Sequence, residues 1–224
     1  MDFMDYVNQG IEFFKKDALE SAKDRFKEAQ KINPDNQDIQ NLIMMTDEAI
    51  RLREAMSQEA ANEARSWADV MGIKVEDVGK VIKEYTETLE HNQNDASVKS
   101  NLAFAHYIRG VTFTSKREYA QAIEDYSNAI KFEPDHLRAL NKRGDAYLSS
   151  KNFDKAIEDF EELSKRKPDY DGVDNSLANA YRNRGIAHYE KKEYASAIPD
   201  FEDCLRYKPN DPTACEFLEM AKKG

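Results

Sequence analysis

Residues 137–168 read LRALNKRGDAYLSSKNFDKAIEDFEELSKRKP, and this stretch decides the fold. Leu140, Gly144 and Tyr147 fall on one helical face, because residues three and four apart are neighbours on a helix. After a short polar turn, Ala156, Phe160 and Leu163 mark the face of a second helix, which Pro168 ends. Proline stops a helix because it lacks the amide donor and clashes with the preceding turn. A glycine inside a helix costs roughly 1 kcal/mol against alanine, so Gly144 calls for a packing reason. Without a side chain it lets the second helix approach closely, with Ala156 as the matching small residue and Phe160 expected to fill the space between neighbouring helix pairs.

The same pattern recurs three times. It runs Tyr6, Gly10, Phe13, Ala22, Phe26, Ala29, Pro34; then His106, Gly110, Phe113, Ala122, Tyr126, Ala129, Pro134; and, after 137–168, Tyr181, Gly185, His188, Ala197, Phe201, Cys204, Pro209. Arg109, Arg143 and Arg184 precede the last three glycines, where the first copy has Gln9. The interval from the large residue to the proline is 28 in every copy. Pro134 to Pro168 spans 34 residues, the length of one whole unit. These residues resemble the tetratricopeptide repeat family, with its small/aromatic/small/proline signature. The resemblance implies an all-α fold: a right-handed α-solenoid of antiparallel helix pairs.

A degenerate fifth copy lies in 78–95, where Val81, Tyr85, Thr88, Leu89 and Gln93 stand for Ala156, Phe160, Leu163, Ser164 and Pro168. The intervals from Gln93 to Pro134 and from Pro168 to Pro209 are both 41, seven more than one unit. Seven residues are about two helical turns, so the first helices of the second and fourth copies are expected to be longer and to protrude from one rim. Between Pro34 and Gln93 about 25 further residues enter. This segment is polar, with Ile39, Leu42, Ile43, Ile50, Met56, Ala60, Ala64 and Trp67 as a narrow apolar stripe, and it reads as one long helix or two in sequence. Gly72–Asp77 is the expected joint, and Asp211-Pro212-Thr213 opens a final capping helix. The expected organisation is therefore an N-terminal repeat at 1–35, a helical insertion at 36–75, a repeat array at 76–211 and a capping helix at 212–224.

Composition narrows the function. The chain of 224 residues carries a formal charge of −10, with 13 Lys/Arg against 21 Asp/Glu in 1–99 and 20 against 22 in 100–224. Without a basic stripe it is repelled by phosphate backbones, so nucleic acid is not an expected partner. Apolar runs are too short to span a membrane, and the acidic start Met1-Asp2-Phe3-Met4-Asp5 lacks the features of a secretory leader, so the cytoplasm is the expected compartment. Cys204 and Cys215 read as small packing residues. No phosphate loop, metal-spaced pair or calcium loop occurs, and no cofactor is expected. His106 and His188 occupy packing positions, while His91 and His136 lie near helix ends where solvation is expected. The chain is therefore expected to be no enzyme.

In the resembling family the first helix of each pair lines the concave surface. By that resemblance the second copy offers Phe104, Tyr107, Ile108 and Val111, the third Arg138, Asn141, Lys142 and Asp145, and the fourth Asn179, Arg182, Asn183 and Ile186. Tyr107, Arg138, Asn141, Lys142, Arg182 and Asn183 are the candidate peptide-binding residues. Arginine and lysine beside amide donors suit a carboxylate or an acidic peptide. One branch of the family, the co-chaperones, clamps the C-terminal carboxylate of heat-shock chaperones. Arg138 and Lys142 match the basic pair of its last repeat, whereas Tyr107, Ile108, Val111, Ser66 and Val70 do not match the preceding positions. The expectation is a scaffold binding a protein or peptide segment, acidic or with a free C-terminal carboxylate. Homodimerisation through 35–71 is the alternative.

Overall fold

The computed structural model describes the backbone of residues 2–15, 18–70 and 74–223; several side chains between 52 and 70 lie outside that description, among them Met56, Ala60, Ala64 and Trp67, and so does the joint at Gly72. Among the described residues the secondary structure is helical: α1 (Phe3–Lys15), α2 (Leu19–Ile32), α3 (Gln37–Val70), a single 3-10 turn (Val75–Asp77), α4 (Val78–His91), α5 (Ala96–Ser115), α6 (Tyr119–Phe132), α7 (Leu137–Ser149), α8 (Phe153–Arg166), α9 (Val173–Glu190), α10 (Tyr194–Tyr207) and α11 (Pro212–Ala221). The inserted segment is thus one helix of 34 residues. The chain divides into two compact units, Met1–Glu59 and Ala60–Gly224.

In the first unit α1 and α2 form the pair read from Tyr6 to Pro34. Its core is Val7, Ala29 and Ile39, joined by the half-buried Phe3, Tyr6, Leu42 and Ile43. The first part of α3 is therefore an integral third helix, tied also by Lys23 Nζ to Asp47 at 2.5 Å.

In the second unit consecutive helices pack in order from α4 to α11. One core cluster centres on Leu102, Ile108, Val111 and Tyr126, the other on Phe160, Leu163, Leu177 and Phe201. The glycine has a more specific purpose than general approach. A Cβ at Gly110, Gly144 or Gly185 would stand 2.6–2.7 Å from the ring of Tyr126, Phe160 or Phe201, the aromatic of the same helix pair. The aromatic thus closes its own pair by lying on the glycine.

The arginine before each glycine has a matching role. Arg109 Nε and Nη2 both lie 2.7 Å from Asp125, Arg143 holds Asp159 at 2.7 and 2.8 Å, and Arg184 holds Asp200. The partners are 16 residues apart each time, joining first helix to second. Arg143 Nη1 also donates to Ser127 Oγ at 3.1 Å, and Arg184 Nη1 to Asp154 Oδ1 at 2.7 Å, so each reaches the preceding pair as well. The first unit has Gln9 and Arg25 at these two positions.

The lengthened helices occur, α5 with 20 residues and α9 with 18 against 13 in α7. Their added turns do not stand free, because Leu102, Val173 and Leu177 are buried. Asn92 ends α4 with φ −139° and ψ 81°, close to the −133° and 89° of Glu133 before Pro134. Packing fixes this turn even where glutamine replaces proline. Asp211 caps α11, accepting from Ala214 N at 3.0 Å, and Phe217 of that helix lies 5.8 Å from the Phe201 ring. Cys204 is buried and Cys215 exposed, both as free thiols.

Candidate functional site

The row of positions following the large residue in α5, α7 and α9 holds Tyr107, Asn141 and Arg182; the next row holds Ile108, Lys142 and Asn183. The structure separates these residues into three environments.

Tyr107 is fully buried. Its ring lies 4.9 Å from His136, 6.0 Å from Tyr126 and 6.2 Å from Phe104. These contacts fix the hydroxyl, which donates to Glu63 Oε1 at 2.6 Å. Burial, and then that hydrogen bond, pushes the phenol pKa far above its ordinary value, so it remains a donor. Lys142 Nζ lies 3.0 Å from Glu63 Oε2. One carboxylate is thus held by two residues from different helix pairs. Asp145 follows one turn after Lys142; burial pushes its carboxyl up to about 6, with Lys142 opposing and Glu63 adding to the rise.

Asn141 and Asn183 are half-buried, and among the described residues their side chains make no hydrogen bond or ion pair. Arg138 is exposed. Ile186 is half-buried, while Ile108 and Val111 are buried and belong to the core rather than to a groove wall.

Arg182 is committed elsewhere. Its Nη1 lies 2.8 Å from Oδ2 of Asp211, itself only 1% exposed, and joins α9 to the cap of α11. Asp211 stays below the usual carboxylate range: burial pushes it up, but the Ala214 amide and Arg182 outweigh that effect.

Two participants were missed at the level of sequence. Glu63 lies in the helical insertion, 44 residues from Tyr107, and nothing in the local pattern marks it. His136 is not simply solvated: it is half-buried, accepts from Ala139 N at 3.2 Å through Nδ1 and flanks Tyr107. Burial lowers its pKa, which suits a neutral acceptor. His106 is the buried packing residue expected, with an added 2.8 Å bond to Asp125.

A sequence profile of the tetratricopeptide repeat matches residues 137–210, and a second profile of the same family matches residues 103–136. The chain is a tetratricopeptide repeat protein. Solved structures of tetratricopeptide repeat domains are similar at low identity. The TPR2AB-domain:pHSP90-complex of yeast Sti1 aligns at 17% identity over 98% of each chain, with TM-score 0.37. The second TPR domain of human RPAP3, in complex with an HSP70 peptide, aligns at 23% identity over 58% of this chain and 99% of that one, with TM-score 0.38. The Arabidopsis OM64 TPR domain aligns at 22% identity over 56% and 98%, also with TM-score 0.38. Comparison with curated proteins finds no match. In this repeat array the first helices α5, α7 and α9 carry every candidate binding residue, and α3 supplies the carboxylate that two of them hold. Among the described residues no helix is long and apolar enough to cross a membrane.

Proposed function

We propose that this tetratricopeptide repeat protein is a non-catalytic interaction scaffold that binds an acidic peptide or partner segment along α5, α7 and α9. The observation that carries this reading is the pair Tyr107 and Lys142, which holds a carboxylate by a short phenol bond and an ammonium contact. Charge-assisted bonds of this kind are about twice as strong as neutral ones. Asn141 and Asn183, half-buried and without a side-chain partner among the described residues, add amides able to pair with a peptide main chain. Arg138 extends the basic character at the exposed edge, whereas Arg182 supports the cap.

The test is selection of a phage-displayed random peptide library on the full chain. Acidic sequences are expected to be enriched. Asn141→Ala with Asn183→Ala is expected to weaken the selected peptides about tenfold, or about 1.4 kcal/mol, without lowering the melting temperature. Enrichment of basic sequences, or affinities indifferent to Lys142→Glu, would overturn the proposal.

A second reading, self-association through α3, is favoured by Met44 and Met45, which are 64% and 57% exposed beside one another. A monomer in sedimentation at tens of micromolar removes it.

A further inference from the structure

The carboxylate at the Tyr107–Lys142 position belongs to the chain itself and is presented by a helix. Glu63 lies within α3 (Gln37–Val70) and reaches α5 and α7 with both oxygens at once. This is no local pairing of adjacent turns, which surface ion pairs on one helix commonly are. The donors are fixed in advance: the Tyr107 ring is closed in by Phe104, Tyr126 and His136, so its hydroxyl keeps its position whatever carboxylate arrives.

The arrangement also carries an opposing force. Asp145 stands near enough for Glu63 to raise its pKa, so Lys142 faces two acidic groups at one place. An internal ligand held by two good bonds but crowded by a like charge is attached without being locked.

We infer that the face of α5 and α7 around Tyr107 and Lys142 is shaped for a helix bearing a side-chain carboxylate, that α3 occupies it through Glu63 in the free chain, and that an external acidic helix binds by displacing Glu63. This rests on the proposed binding surface and adds both the conformation of the partner and the competitor it must remove. Affinity for a partner is then reduced by the fraction of chains whose groove is filled.

Three measurements on the full chain test the inference. A zero-length carbodiimide is expected to join Glu63 to Lys142, found as one cross-linked peptide after digestion. A fluorescein-labelled peptide of residues 54–70 is expected to bind Glu63→Lys at least tenfold more tightly than the unaltered chain, because the internal helix is repelled. Adding Lys142→Glu should abolish that binding. Should Glu63→Lys fold poorly, hydrogen exchange in Lys142→Met replaces it, with amides of 60–70 expected to exchange at least tenfold faster. No cross-link, equal peptide affinity for the two chains, or unchanged exchange would overturn the inference. A cross-link alongside a failed peptide selection removes the partner reading and leaves the self-occupied groove standing. Acidic peptides that bind regardless of Glu63 remove only the inference drawn here.

Discussion

The Phe160 ring lies against Gly144 so closely that a methyl group added to the glycine would stand 2.6 Å from Cε1. Phe160 is itself fully buried, so it has no free space to retreat into. Gly144→Ala is expected to destabilise the chain by about 1–3 kcal/mol, the usual cost of overpacking. This outweighs the gain in helix propensity of about 1 kcal/mol. Gly79 has nothing within 4 Å of the same position, so Gly79→Ala is the control, expected to be neutral or stabilising in urea denaturation.

Asp159 is 6% exposed and gripped by Arg143 at two points. Truncating one member leaves the other charge buried and unpaired, at about 3–5 kcal/mol. Arg143→Met is therefore expected to unfold the chain at lower denaturant than Arg143→Met combined with Asp159→Leu, and a double-mutant cycle measures the difference.

Asp145 and Asp125 give stability opposite dependences on pH. The folded pKa of Asp145 is pushed up to about 6, above the unfolded value of about 3.9. The folded chain binds more protons between those values, so this group lowers stability as pH rises from about 4 to about 6. Asp145→Asn is expected to stabilise the chain at pH 7 and flatten that slope. Asp125 is the reverse: burial pushes it up, but the bonds from Arg109 and His106 hold it below the ordinary range. Its contribution is present above about pH 4 and lost below it as the folded group protonates. Thermal unfolding between pH 3 and 7 checks both.

Arg117, Lys151 and Lys192 all adopt left-handed backbone, with φ of 62–63°. For a residue with a Cβ this conformation costs about 1–2 kcal/mol, so Lys151→Gly is expected to raise the urea midpoint. Lys151→Val should lower it.

The fold was readable because its packing residues recur in register. A large residue, a glycine and an aromatic at fixed intervals determine which helices pair before any distant contact is known. The 16-residue spacing of Arg109 and Asp125, Arg143 and Asp159, and Arg184 and Asp200 was present in the same alignment and would have revealed the ion pairs. The site was legible only in part. Tyr107 and Lys142 converge on one carboxylate, that of Glu63, whose place depends on where a long polar helix comes to rest. The bond of Arg182 was hidden for a related reason: its partner Asp211 belongs to the capping turn, outside the repeating pattern.

The left-handed turns have a consequence for handling the protein. Each places an exposed Arg or Lys between the first and second helix of a pair, which is where trypsin finds strained and accessible bonds. Brief digestion should nick the chain after residues 117, 151 and 192. The pieces should nonetheless travel together on a sizing column, since the aromatic on its glycine and the aspartate on its arginine both bridge the nick. Only denaturant would separate them, and the nicked protein would show how much of each helix pair survives without its covalent connection.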